Sequence, residues 1–362
     1  TIAPLCDAVA AFEAALFAHT TNLGDYLSNA VLETETFCVR QAAAGQLSPV
    51  MEAALNSELN FLQKLCGLTL DALLEAADRQ NRELAFLPRW EARQLDLTAA
   101  YNQRMREAGK KGYGMFAKHH VFTVENGQLV PVKYPDPQKL SELPGYEKER
   151  EKVIANTRAL LAGMPANNVL LYGDAGTGKS STVKAIANEF AADGLRLVEV
   201  KKNQLYQIPD LMDKLAANPL KFILFIDDLA FDQDDNTYSI MKTILEGGLE
   251  RRPANVAIYA TSNRRHLVRQ SFSDRAGDEV DAFETISEKT ALAERFGLRI
   301  PYLTMSKADY LALVDHLAAR AGVAMSAELL HAQAMTWEIR HAGRTPRTAQ
   351  QFIASLSLQE KQ

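Results

Sequence analysis

Eight consecutive residues, Gly173 to Ser180 (GDAGTGKS), have the types and spacing to hold a phosphate chain. Gly173, Gly178, Lys179 and Ser180 occupy the fixed positions of G-x-x-x-x-G-K-[S/T], with Asp174, Ala175, Gly176 and Thr177 between them and Ser181 following. In such a loop, successive backbone N–H groups turn inward as an anion nest, and the helix that follows adds its positive end. Lys179 is placed to reach the outer phosphates, and the Ser180 hydroxyl to ligate Mg²⁺. A second set of candidates closes the run Lys221 to Asp228 (KFILFIDD). Asp227 can hold a metal with its water shell, and Asp228 can orient or deprotonate an attacking water. Asn263 offers a neutral amide that could position the same water.

The flanking residues say which elements carry these groups. Val169 to Tyr172 reads as a short buried strand, and Val183, Ile186, Ala187 and Phe190 recur as one buried face of a helix. The phosphate loop is therefore a strand-to-helix turn. Leu195 to Val200 is a second strand. The unbroken apolar run of KFILFIDD is a third, covered on both faces, and Val256 to Thr261 a fourth, leading into Asn263. From Thr304 onward the pattern is helical, with Ser306 and Ser326 as N-cap candidates. In GRTPRTAQQF, Thr345 can cap a helix that has Pro346 at its first position, which puts Arg347 in the first turn, with Arg344 as a competitor for the same role.

Ahead of this core, residues from about 5 to 110 are rich in Ala, Leu and Glu at helical spacing, interrupted at Gly24, at Gly45 with Pro49, at Gly67 and at Pro88. Four or five helices are expected, acidic on balance, without evident chemistry, and suited to contact with a protein partner. Asn126-Gly127 between Val121–Val124 and Leu129–Lys133 predicts a hairpin whose second strand, carrying Pro131, stays at an edge. The expected boundaries are a helical domain over 1–110, hairpin and linker over 111–142, an α/β core over 143–303 and a helical lid over 304–362.

Composition bounds the partners. The 362 residues are 47% hydrophobic and 23% charged, ordinary for a soluble protein. No apolar run approaches the roughly 18 residues that span a bilayer, and the start of the chain lacks the basic-then-apolar order of a signal peptide. A cytoplasmic protein without membrane contact is expected. Cys6, Cys38 and Cys66 are widely spaced and expected to be reduced. A net charge of −5 gives no global pull toward nucleic acid. Basic clusters at Arg251-Arg252, Arg264-Arg265-His266 and Arg269 keep DNA or RNA as the rival partner.

Phosphate loop, hydrophobic run ending in Asp-Asp, and YATSN together resemble the AAA+ ATPases. The resemblance implies a P-loop NTPase core with a five-stranded parallel sheet between helices, a C-terminal helical lid, and ATP with Mg²⁺ bound between subunits of a homo-oligomer. Tyr146, in Gly145-Tyr146-Glu147, matches the segment that borders the adenine. Arg295, before Phe296 in AERFGL, is similar to the arginine finger that a neighbouring subunit inserts at the γ-phosphate. Arg347 is similar to the lid's second sensor. More narrowly, NNVLLYGDAGTGKSS, LEGGLERRPANV, YATSNRRHLV and AERFGL resemble DUF815, a bacterial AAA+ family assigned to ATP binding by its motifs.

Two departures from the superfamily pattern matter. Most members follow the metal-binding Asp with Glu, whereas Asp228 is one methylene shorter, which predicts slow hydrolysis; the transposition-helper and helicase-loader branch has a similar ending. Only about twenty residues separate the second and third strands, too few for an aromatic threading loop. A loader, switch or remodeller of a protein partner is expected, with a nucleic-acid loader and an ATP-gated scaffold of negligible turnover as the alternatives.

Overall fold

The computed structural model describes residues 3–43, 45–76, 86–87, 89–230, 236–246, 252–263, 292–341 and 343–359. The chain forms two compact units, Thr1–Lys118 with Ala217–Pro219, and His119–Ala216 with Leu220–Gln362. No helix of the described residues is long and apolar enough to cross a membrane.

The first unit is helical. Its longer helices are Ala3–Phe17, Leu23–Glu33, Phe37–Ala43, Pro49–Cys66, Leu70–Ala76 and Leu97–Arg106, more than the four or five expected. Ser48 caps the fourth by accepting from the Met51 N–H, with Pro49 at its first position. Gly24 does not break the chain as expected. It lies in the first turn of Leu23–Glu33, capped by Asn22, where a Cβ would come within 2.5 Å of the Arg93 carbonyl oxygen. Close backbone approach explains that glycine. Val9, Leu16, Leu23, Leu70, Leu87 and Trp90 form one core, with the Trp90 indole N–H donating to the Leu68 carbonyl at 2.8 Å. Val39, Leu59, Tyr101 and Tyr113 form another. Cys6, Cys38 and Cys66 are free thiols.

The second unit is built on a seven-stranded sheet. In chain order its strands are β1 (Val121–Glu125), β2 (Gln128–Pro131), β3 (Val169–Gly173), β4 (Leu195–Glu199), β5 (Lys221–Ile226), β6 (Val256–Ser262) and β7 (Leu298–Tyr302). Their spatial order is β2-β1-β4-β5-β6-β3-β7. Five of them, β4, β5, β6, β3 and β7, are parallel neighbours, and with the flanking helices they form the expected five-stranded parallel sheet between helices. The hairpin is present, with Asn126 and Gly127 at positive φ and Pro131 opposite Phe122 at the sheet edge. Its first strand, β1, pairs in parallel with β4 and so extends the sheet.

Burial follows the sequence pattern. Phe222 to Ile226 and the whole of β6 are inaccessible, and each large apolar side chain so removed from water contributes about 1.5–3 kcal/mol. Behind the sheet, Tyr259 of β6 holds the helix Glu147–Leu161 through its hydroxyl, which meets Asn156 Nδ2 at 3.0 Å and Thr157 Oγ1 at 2.8 Å. Asn156 also pairs with the backbone of Asn167, so the helix is fixed to the segment that enters β3. The helices Lys307–Ala321, Ala327–Arg340 and Pro346–Gln359 form the helical lid around Tyr310, Val314, Ala334, Ala349 and Phe352. Ser306 caps the first through the Asp309 N–H at 3.1 Å, whereas Ser326 makes no capping bond to the second.

Candidate functional site

Parallel pairing puts the C-terminal ends of β3, β5 and β6 along one edge of the sheet, where open α/β sheets bind ligands. The phosphate loop leaves β3, Asp227 and Asp228 follow β5, and Thr261 to Asn263 finish β6, which lies between the other two. These segments line a cavity of about 340 Å³, together with Arg347 and Pro346 at the start of the last lid helix. That volume is at the lower end of the range for small-molecule sites.

The loop is held in shape from behind. Gly173 has φ +130° and sits against β7, where a Cβ would lie 2.3 Å from the Tyr302 carbonyl oxygen. Gly178 has φ +92° and starts the helix Lys179–Glu189, as only a residue without Cβ does at low cost. The Asp174 N–H donates to the Tyr302 carbonyl at 3.0 Å, and its carboxylate Oδ2 accepts from the Thr304 N–H at 2.7 Å and the Thr304 hydroxyl at 2.6 Å. On the other side the Arg347 N–H donates to the Gly176 carbonyl at 3.3 Å. Gly173→Ala should therefore strain the backbone and push into Tyr302 together, a loss of about 2–6 kcal/mol. A calorimetric melt of the variant that matched the native one would contradict this account of the loop.

Lys179 is buried, with Nζ donating to the Gly173 carbonyl at 3.1 Å and the Asp174 carbonyl at 2.7 Å. Burial pushes its pKa down; Asp174, Asp228 and Asp227 pull it back up, and Arg347 adds to the lowering. Next to it, Ser180 Oγ donates to Asp227 Oδ1 at 2.6 Å. Hydroxyl and carboxylate make an all-oxygen pair, a donor set that suits Mg²⁺. Asp227 Oδ1 also accepts from Thr261 Oγ1 at 2.5 Å, and Asn263 Nδ2 donates to Asp228 Oδ1 at 2.9 Å.

Of the residues expected from the sequence, Ala175 to Ser181, Asp227, Asp228, Asn263 and Arg347 line one cavity, while Gly173 and Asp174 support it from behind. Arg347 rather than Arg344 faces the loop; Arg344 contributes its carbonyl to the Met305 N–H at 3.0 Å. Tyr146 is not brought to the phosphate cavity. It takes a left-handed backbone before the helix Glu147–Leu161, stacks on Tyr302 with ring centroids 5.0 Å apart, and donates its hydroxyl to the Leu303 carbonyl at 2.5 Å. Burial, mainly, raises both tyrosines, Tyr302 to about 12, so each keeps its proton. Arg295, half-buried just before β7, does not line this chain's own cavity.

Gln138, Leu143, Pro144, Arg150, Thr261 and Gln350 line the cavity without having been singled out from the sequence. Thr261 had a signal, its place within YATSN, whereas Arg150 is one charged residue among many on its helix. Of the basic clusters, Arg252, half-buried, donates to Asn168 Oδ1 and to the Ala166 carbonyl. Arg251, Arg264, Arg265, His266 and Arg269 lie outside the described residues.

Comparison with family models matches residues 116–360, well over half of the chain, to the family described as Protein of unknown function (DUF815). The chain belongs to that family. Among solved structures, this DUF815 member is similar to RuvB, a Holliday junction branch migration motor of Thermotoga maritima, at 17% identity over 60% of this chain and 63% of that one, with a TM-score of 0.38. Two single-site variants of that protein match at 17% and 18% identity, covering 61% and 60% of this chain and 65% and 63% of theirs, each at 0.38. The chain thus spans less than two thirds of these structures. No curated protein matches it.

Proposed function

We propose that this DUF815 protein is an oligomeric, Mg²⁺-dependent ATPase that works as a switch, loader or remodeller of a protein partner. One observation carries the reading: the phosphate loop, the acid pair, the Asn263 amide and the lid's Arg347 converge on one cavity at the C-terminal edge of a parallel sheet. The inward N–H groups of Gly176 to Ser180 and the Lys179 ammonium bind the phosphates of ATP. Ser180 and Asp227 are the residues to hold Mg²⁺, whose chemistry there is to neutralise charge on the phosphate oxygens. Asn263 orients the attacking water, and Asp228, hydrogen-bonded to that amide, takes up its proton. Leu143, Pro144, Gln138 and Gln350, where the cavity passes beyond the phosphate loop, form the wall for the base.

Arg295 completes the site of a neighbouring subunit, so each site lies at a subunit boundary, and the guanidinium offsets charge that develops on the transferring phosphoryl group. The lid touches the phosphate loop at Gly176 and at Asp174, which couples the state of the loop to the angle of the lid. The helical first unit serves as the contact with the protein partner. The test is ATP turnover per subunit with Mg²⁺ over a wide range of protein concentration. A rate that climbs with concentration is expected; a negligible rate at every concentration, with ATP binding intact, would leave an ATP-gated scaffold instead.

A further inference from the structure

We propose that Thr261 is a positioning residue that places both members of the acid pair, and that the turn it enforces is the reason residue 228 is aspartate. The inference rests on the reading of the site as an ATPase. Thr261 is 1% exposed, near the end of β6 between the strands that deliver the phosphate loop and the acids. Its hydroxyl donates to Asp227 Oδ1 at 2.5 Å and accepts from the Asp228 N–H at 2.9 Å. A hydroxyl has one proton, and an amide N–H can only donate, so the two contacts leave the proton a single partner, the Asp227 carboxylate. A third bond, from the Leu229 N–H to the Thr261 carbonyl at 2.7 Å, closes the set. Three consecutive residues after the end of β5 are pinned to one residue of β6.

The consequence is the backbone of Asp228, at φ +53°. In that left-handed region Asp and Asn are favoured among residues with a Cβ, because a short polar side chain can bond locally. From there Asp228 Oδ1 meets Asn263 Nδ2 at 2.9 Å. The turn rather than side-chain length brings this acid to the amide. A glutamate on the same backbone would lose the preference for the turn and carry its carboxylate past Asn263.

The test uses the full chain with Thr261→Val, Thr261→Ser and Asp228→Glu, and two readouts. One is the affinity for a non-hydrolysable ATP analogue with and without Mg²⁺; the other is steady-state turnover resolved into kcat and KM. Thr261→Val keeps the shape but removes the hydroxyl, and it should cut the Mg²⁺-dependent gain in analogue affinity, and kcat, by about 10–100-fold, the usual cost of losing a group that orients a metal ligand. Affinity without Mg²⁺ should hold, and Thr261→Ser should restore most of both losses. Asp228→Glu should turn over more slowly than the native chain, although it restores the commoner acid of the superfamily.

A Thr261→Val protein with native coupling to Mg²⁺ and native kcat would overturn the proposal, as would equal losses in Thr261→Ser, which keeps the hydroxyl. Should Thr261→Val fail to fold, Asp228→Glu still decides, because a kcat at or above the native value would refute the role of the turn. Native protein that binds the Mg²⁺-analogue without turnover would sink the ATPase reading alone, leaving the Mg²⁺-coupled affinity to judge Thr261. Native protein that binds no nucleotide would sink both.

Discussion

Arg295→Ala is expected to lower ATP turnover by about 10³–10⁵-fold while leaving ATP affinity nearly unchanged, the effect known for guanidinium groups supplied in trans to a phosphoryl-transfer site. Arg295 is absent from the lining of its own chain's cavity, and it is carried on a firm base: Phe296 is buried, and Gly297 packs so closely on Asn167 that a Cβ would come within 2.4 Å of its side-chain oxygen. Substitution at 295 therefore removes the guanidinium and leaves its platform. A mixing experiment separates supply in trans from a role within one subunit. Arg295→Ala and Lys179→Ala proteins, each inactive alone, should recover turnover when combined, because some boundaries then pair an intact phosphate loop with an intact Arg295. A mixture no more active than its components would refute the assignment.

Asp228→Asn should reduce kcat by about 10²–10⁴-fold, the range for losing a general base. Asparagine tolerates the left-handed backbone that Asp228 adopts, and its amide oxygen can still accept from Asn263 Nδ2. What is lost is the capacity to take a proton. Fold and nucleotide binding should therefore persist, which a melting curve and equilibrium binding of ATP can verify beside the rate. Full turnover in this variant would remove Asp228 from the chemistry and favour a site that binds without hydrolysing.

The expectation of slow hydrolysis came from comparing side-chain lengths, and the structure changes its basis. Reach depends on where the backbone points the side chain, and residue 228 is turned by its bonds to β6 rather than continuing β5. Similar reasoning applies to Tyr146. Its sequence context resembles a base-bordering segment, and only the fold shows its ring stacked on Tyr302, a residue more than 150 positions away. The choice between Arg344 and Arg347 was also open in the sequence, since both flank the same capping threonine. The first turn of Pro346–Gln359 sets their positions apart, because Thr345 accepts from the Thr348 N–H at 3.2 Å and the helix so started brings the Arg347 backbone to Gly176.

By itself the sequence determined the parts whose causes are contiguous. The phosphate loop is eight residues long and carries its own glycines, lysine and serine. The strands β3 to β6 are apolar runs with clear ends, the hairpin turns on Asn126-Gly127, and the lid starts at a capped helix. The tertiary structure alone decided which ends meet. Ser180 reaches Asp227 across 47 residues, Thr261 reaches Asp227 across 34, and Asp174 reaches Thr304 across 130. Those distances are spanned by strand order and by β7, which pairs with β3 although it comes last in the chain. Local periodicity reports which face of a strand is buried, not which strand lies beside it. That is why the loop could be read directly, while Thr261, between the two acids, emerged only when β6 was seen to lie between β3 and β5.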